Sequence, residues 1–320
     1  MIITLYEERF GGYRCDQHKG ENELNVFISG SNGYVGGWIA KTLSLRGFKI
    51  IGCGRRINYN SFVDTYYKWD IANDERPKEL LSQKIDVIIH AAARINLDMW
   101  DTDSLNTNVI GTHRVMAFCK EIGCKKFILV SSGPVIGRPK KNIPITEEYP
   151  LNPQTLYHST KISQEFLVSQ LGSEDIRFYI LRPSSPIAPT MKTKTIFSSF
   201  VENAVYGLPI VINGKGTRKQ NYIDLRDFSL AIACIIEGKI DSGIYNVANE
   251  YTISNLELAN LCIQIANSKS NIHFSGKFDP SDGEIWDYDI SKIKAIGFTP
   301  RIPIAKTIED MINCLRENNK

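Results

Sequence analysis

The stretch Ile28–Trp38, ISGSNGYVGGW, decides the fold. It follows the apolar run Asn25-Val26-Phe27-Ile28 without a break and opens Gly36 to Leu45, where apolar residues recur at helical spacing. Its glycines Gly30, Gly33 and Gly36 are spaced GxxGxxG. A strand that turns at once into a helix needs a tight turn, which Gly30 permits. Gly33 lets the backbone come close to a pyrophosphate, and Gly36 lets helix and strand pack closely. The helix start adds unpaired N–H groups and the positive end of its dipole. Strand before and helix after make this a dinucleotide site, with Asn32, Tyr34 and Val35 in the same turn.

Outward from that loop the chain alternates between short apolar strands and helices. Strands are expected at Lys49–Ile51, Asp86–His90, Lys126–Val130 and Ile176–Leu181. Between them come a short helix at Pro77–Gln83 and longer ones at Asn106–Ile122 and Tyr157–Leu171. Strands without polar alternation, separated by helices, imply a parallel sheet covered on both faces, a doubly wound α/β fold. After Arg182 the pattern loosens. A strand and helix over Asn221–Glu237 and a strand at Gly243–Val247 return to it. Helices are expected at Ile196–Tyr206, Asn255–Asn267 and Ile304–Glu317. The expected organisation is an extension at 1–24, a dinucleotide-binding domain of 25–182 plus about 222–249, and a smaller discontinuous lobe of about 183–221 plus 250–320.

The second strand runs into Gly52-Cys53-Gly54 and then Arg55-Arg56. In a dinucleotide fold this strand end meets the adenosine ribose. An acid there bonds the free 2′-hydroxyl of NAD, whereas arginine accommodates the 2′-phosphate of NADP. No acid is present, so Arg55 and Arg56 favour NADP over NAD; a solvated arginine pair is the plain alternative. In Trp69-Asp70-Ile71, Asp70 suits either the adenine amino group or a helix cap.

Composition excludes other classes. The 320 residues are 42% hydrophobic and 23% charged, with a net charge of +3, too small to suggest nucleic acid or membrane as a partner. No apolar run reaches the roughly 18 residues of a spanning helix, and residues 1–24 lack the plan of a secretory signal. Seven scattered cysteines without a CxxC pair point to reduced thiols in a cytoplasm, and neither they nor the five histidines have metal-ligand spacing.

The chemical candidates lie in Tyr157-His-Ser-Thr-Lys161 and, upstream, Ser131-Ser132 at a strand end. The four-residue spacing puts Tyr157 and Lys161 on one helix face. An ammonium beside a phenol is expected to lower the phenol's pKa, and such a tyrosine passes a proton to or from a carbonyl or carbinol oxygen, with a serine hydroxyl bonding the same oxygen.

With these pieces in order, the chain resembles an extended short-chain dehydrogenase/reductase of the NAD(P)-dependent epimerase/dehydratase family. The matching motifs are the glycine loop, Asp70-Ile71, IIHAAA at Ile88–Ala93, NVIGT at Asn108–Thr112, SSGPVIG, Tyr157-x-x-x-Lys161, LRPSSPIAP from Leu181, YIDLRDF from Tyr222, YNVAN from Tyr245 and DISKIKAIGFTP from Asp289. The resemblance implies a Rossmann domain and a substrate lobe. It implies Tyr157 as acid/base, Lys161 as its tuner and nicotinamide-ribose ligand, and Ser132 as the catalytic serine. Ala91, Ala92 and Ala93 would line the cofactor, and Asn108 would support the site. It also implies a nucleotide-activated sugar as substrate and a homodimer formed through the helices at 106–122 and 157–171.

The sequence departs from the family at telling places. Dehydratases carry an Asp-Glu pair after the catalytic serine or threonine; here stand Gly133 and Pro134. The slot before Gly137, usually tyrosine, is Ile136. The Arg-Asp that precedes the YID-like strand in epimerases is Gln220-Asn221, with Arg218 and Lys219 two and one residues earlier as substitute cations for substrate. A second family arginine has no counterpart in FDPSDGE. The expected function is an NADPH-dependent reductase, or the reverse dehydrogenase, of a sugar-nucleotide or related carbonyl. The alternatives are an NAD-dependent nucleotide-sugar 4-epimerase and a non-catalytic dinucleotide-binding regulator.

Overall fold

A computed structural model of the protein describes residues 24–57, 60–73, 75–96, 98–191 and 193–317. The extension expected at 1–24 lies, but for Leu24, outside them. In chain order the elements are β1 (Asn25–Ser29), α1 (Tyr34–Leu45), β2 (Lys49–Gly54), β3 (Thr65–Lys68), β4 (Val87–His90), α2 (Gly111–Glu121), β5 (Lys126–Val130), α3 (Leu156–Ser169) and β6 (Arg177–Pro183). There follow β7 (Ser185–Ile187), α4 (Ile196–Tyr206), β8 (Ile210–Ile212), β9 (Lys219–Gln220), β10 (Tyr222–Asp224), α5 (Leu225–Glu237) and β11 (Gly243–Val247). The chain closes with β12 (Ile253–Ser254), α6 (Asn255–Ala266), β13 (Ile272–Phe274), α7 (Ser291–Ala295) and α8 (Ile304–Glu317).

Seven strands form one parallel sheet in the order β11-β6-β5-β4-β1-β2-β3. This is the doubly wound arrangement expected from the alternating pattern. The order reverses beside β1, and the crevice outside the carboxyl ends of β1 and β4 is where such folds bind ligands. One face is buried by α1 and α5, through Ile39, Ala40, Leu43, Phe228 and Ile232. The other is buried by α2 and α3, through Val115, Phe118, Cys119 and Val168. A separate cluster joins Phe197, Phe200 and Val201 of α4 to Leu258 and Cys262 of α6 and Ile308 and Met311 of α8. Local sequence sets the helix starts: Thr155 Oγ1 accepts from His158 N at 3.2 Å at the head of α3, and Ser254 and Glu257 cap α6 reciprocally.

Two departures from the sequence pattern have physical causes. The single helix expected at 106–122 is composite: Thr102–Ser104, a π-helical segment Leu105–Ile110, then α2. The wider segment turns Thr107 and Asn108 inward, and both are buried. The edge strand β3, Thr-Tyr-Tyr-Lys, is half-exposed and carries no apolar run, so periodicity does not reveal it.

Candidate active site

The glycine loop makes one wall of the cleft. Gly30 sits at φ +75°, and a Cβ there would lie 2.8 Å from the Ala92 Cα. A Cβ on Gly36 would lie 2.2 Å from the Gly30 carbonyl oxygen, so only glycine lets α1 start this close to the turn. Gly33 caps α1 without any side-chain bond to its first N–H groups. The result is an all-backbone anion cradle, which suits a pyrophosphate. It opens into a cleft of about 790 Å³ that collects nearly every residue expected from sequence: Gly30, Asn32, Gly33, Tyr34, Val35, Gly36, Arg55, Arg56, Asp70, Ile71, Ala91, Ala92, Ala93, Ser132, Tyr157, Lys161 and Arg218.

Asn108 is the exception. It is fully buried and lies behind the cleft wall, where Thr107 faces the cleft in its place. Its side chain accepts from Arg94 N at 2.8 Å and donates to Arg94 O and to Thr160 Oγ1, both at 2.9 Å. It therefore fixes the Ala91–Arg94 wall to α3 and does not itself line the cofactor space. Asp70 is partly committed as well: its Oδ1 accepts from Ala72 N at 3.1 Å in a turn, not at a helix cap.

At the adenosine end, Arg55 and Arg56 are exposed at the head of the β2–β3 turn, and neither pairs with a carboxylate among the described residues. Tyr66 Oη donates to Arg56 O at 2.6 Å.

At the chemical end, Tyr157 and Ser132 lie in the same cleft as Lys161. Burial raises the Tyr157 phenol above its ordinary range, while contact with Ser132 pulls the other way. This corrects the expectation that Lys161 lowers it. The Lys161 ammonium donates to Val130 O at 2.9 Å and stands 5.8 Å from the Tyr157 ring centre. Burial lowers Lys161 itself to about 8, opposed by the charge of Glu165.

Glu165 and Arg182 are the site residues that sequence reasoning missed. Arg182 Nε and a terminal nitrogen donate to the two Glu165 oxygens at 3.0 and 2.7 Å, and Ser131 Oγ donates to Glu165 Oε1. The pair thus anchors the residue beside Ser132 and faces Lys161 one helical turn away. The available signal was a glutamate four residues after Lys161, on the buried face of α3.

In the other half of the cleft stand Arg218, Gln220, Ser185, Tyr222 and Asn255. Arg218 lies 6.0 Å over the Trp286 ring, and Gln220 Nε2 donates to Ser185 Oγ at 2.7 Å. Beside Ser132, a Cβ on Gly133 would come 2.4 Å from the Tyr288 hydroxyl and 2.8 Å from Pro183 O. Gly133→Ala is therefore expected to cost about 1–3 kcal/mol by overpacking, read as a lowered urea midpoint; an unchanged midpoint would show that Tyr288 gives way freely. Among the described residues no His/Cys/Asp/Glu group could hold a metal, and no helix is long and apolar enough to cross a membrane.

Comparison with known proteins agrees with this geometry. The sequence profile of the NAD dependent epimerase/dehydratase family matches residues 26–248. The chain is 27% identical over 269 residues to a dTDP-D-glucose 4,6-dehydratase of Dictyostelium discoideum, spanning 75% of this chain and 62% of that protein. It is 23% identical to a putative UDP-glucose 4-epimerase of Methanocaldococcus jannaschii, spanning 92% of this chain and 99% of that protein. Two solved structures share the fold. The UDP-glucose 4-epimerase of Thermotoga maritima with UDP-glucose has a TM-score of 0.82 at 19% identity, covering 93% of this chain and 100% of that chain. The UDP-glucose 4-epimerase of Thermus thermophilus in complex with NAD has a TM-score of 0.80 at 19% identity, covering 92% of this chain and 99% of that chain.

Proposed function

The chain belongs to the NAD dependent epimerase/dehydratase family, and we propose that within it the protein is an NADPH-using reductase, or the reverse dehydrogenase, of a keto group on a nucleotide-activated sugar or related carbonyl compound. The observation that carries the reading is the end of β2, where Arg55 and Arg56 enter the cleft and no acid stands at Gly52, Cys53 or Gly54. Two guanidiniums favour a 2′-phosphate, and a free 2′-hydroxyl finds no carboxylate there. NAD is the cofactor named for the Thermus enzyme. The preference for NADP therefore rests on this chain's own residues.

The glycine cradle and the Ala91–Ala93 wall fit a dinucleotide, and the nicotinamide supplies or takes the hydride when bound. Tyr157 holds the proton that the carbonyl oxygen receives on reduction, and the Ser132 hydroxyl bonds the same oxygen. Lys161 puts its positive charge beneath that pair. Arg218 and Gln220 face the remainder of the substrate. Dehydration is disfavoured: no acid–base pair follows Ser132, and Tyr288 and Pro183 fill the space a side chain at 133 would need.

The near full-length match to a putative 4-epimerase supports a second reading, an NAD-dependent nucleotide-sugar 4-epimerase. The two part on cofactor exchange. Titration of cofactor-stripped protein with NADPH and NADH at fixed salt is expected to show clearly tighter NADPH binding. Removing either arginine should weaken NADPH by about 10- to 100-fold, the worth of hydrogen bonds to a charged group. Equal NADH binding, or NAD that survives purification, would put the epimerase first. The reading also includes a cytoplasmic homodimer, whose contact would cover the exposed Leu105, Ile110 and Phe166 on the α2 and α3 side.

A further inference from the structure

We infer that Tyr66 is a further determinant of cofactor choice: it fixes the backbone at Arg56, where β2 leaves the sheet and brings Arg55 and Arg56 to the cleft, and it crowds the space an acidic side chain at Gly54 would need. The inference rests on the NADP reading above.

The packing and hydrogen bonds around the end of β2 carry it. β2 and β3 pair in parallel with Gly52 opposite Tyr66 and Gly54 opposite Lys68, so the Tyr66 ring lies along the end of β2. A Cβ built on Gly54 would come 2.9 Å from the Tyr66 hydroxyl, closer than side-chain atoms approach. A carboxylate on residue 54 would thus have to push the tip of the phenol aside and disturb its bond to Arg56 O. The same hydroxyl donates to the Arg56 carbonyl at 2.6 Å. That bond holds the backbone at Arg56, and Trp69 N donates to Gly54 O at 3.1 Å two residues before it. The other flank is tied to the glycine loop by Asn60 Nδ2, which donates to Ser31 O at 3.0 Å.

Tyr66, Gly54, Arg55 and Arg56 line one cleft, so the clamp and the cations it positions face the same ligand. Burial keeps the phenol above its ordinary range, so it remains a donor at neutral pH. Tyr66 acts in two directions. It presents two cations to a 2′-phosphate, and it withholds the position from which a carboxylate would bond a free 2′-hydroxyl. It is a positioning residue: its hydroxyl is spent on the Arg56 carbonyl and the Asn32 side chain, and the discrimination passes through the arginines.

The test is a pair of titrations, NADPH and NADH, on the full-length protein at fixed salt, followed by reduced-nicotinamide fluorescence. Tyr66→Phe keeps the ring and removes the bonds to Arg56 O and to the Asn32 side chain. It is expected to weaken NADPH by about 2- to 10-fold, the range for one neutral hydrogen bond, with NADH affinity unchanged. A lost fold would weaken both, so the NADPH:NADH ratio separates positioning from stability. In a second pair, Gly54→Asp alone is expected to weaken both cofactors, and Gly54→Asp with Tyr66→Ala to bind NADH more tightly than Gly54→Asp alone. If wild-type protein shows no NADPH preference, the cofactor reading falls and takes this inference with it. If Arg56→Ala abolishes the preference while Tyr66→Phe leaves it intact, the inference alone is overturned. Gly54→Asp binding NADH equally well with and without Tyr66 would overturn the steric half.

Discussion

Tyr157→Phe is expected to lower turnover by about 100- to 10,000-fold, the range for losing a positioned proton donor, with cofactor affinity nearly unchanged. At the chemical end of the cleft, Tyr157 carries the titratable hydroxyl that stands beside Ser132 and above the Lys161 ammonium. Phenylalanine keeps the ring and its packing, so the loss isolates the oxygen. The raised phenol also has a direction. A tyrosine that stays protonated through neutral pH is ready to give a proton to a carbonyl, as reduction requires; to act as a base it must first lose that proton. Reduction is therefore expected to run well at neutral pH, and the reverse oxidation to gain as pH rises. Steady-state rates in both directions across pH 6–9, for wild type and Tyr157→Phe, check this. Full activity in the variant would show that another group supplies the proton, and no turnover in wild type either would favour the non-catalytic regulator, because a pure binder has no use for the phenol.

The sheet was legible in the sequence because its inner strands are buried on both faces and read as unbroken Val, Ile, Leu and Phe runs. Val26, Phe27 and Ile28 of β1 and Ile88 and Ile89 of β4 are fully buried. β3 was not, since Thr65–Lys68 is an edge strand held by backbone pairing to β2. The glycine loop was legible because part of its demand is local: Gly36 meets the Gly30 carbonyl within the same turn, although the contact that demands Gly30 itself is Ala92, far along the chain at the end of β4. Residues whose roles depend on distant partners were harder. Asn108 sits in a recognisable motif, yet its contact is Arg94, fourteen positions away and behind the wall. Tyr66 gains meaning only once β2 and β3 lie side by side. The Tyr157–Lys161 spacing located the pair correctly but not its electrostatics. Spacing along a helix fixes which face two groups share; burial, opposed by Glu165 at Lys161 and by Ser132 at Tyr157, shifts their protonation.

Breaking the pair beneath the site is expected to have the largest effect on stability. Glu165 and Arg182 have side chains only 5% and 2% exposed, and they meet at 2.7 Å. Glu165→Ala leaves a buried guanidinium with, among the described residues, only the Glu147 carbonyl as a remaining oxygen partner, at 2.8 Å. Such a loss costs about 3–5 kcal/mol, read from urea unfolding. Glu165→Leu with Arg182→Met removes both charges and fills the space, and is expected to recover most of that cost, since apolar replacement of a buried pair is often neutral. A single variant that unfolds at the wild-type midpoint would show that the charges are better solvated than their burial implies. The double variant then exposes a second role. Without Glu165, Lys161 loses the charge that opposes its burial, so its pKa falls below about 8. The sign follows from linkage. A lysine whose folded pKa lies below its unfolded value destabilises the fold while charged, and stability rises as pH climbs through the folded pKa toward the unfolded one. In the double variant that rise begins at lower pH than in wild type, and the alkaline edge of the reductase rate moves down with it. A restored midpoint with an unshifted edge would make the pair a packing element alone; a restored midpoint with a shifted edge would make Glu165 the residue that keeps Lys161 charged.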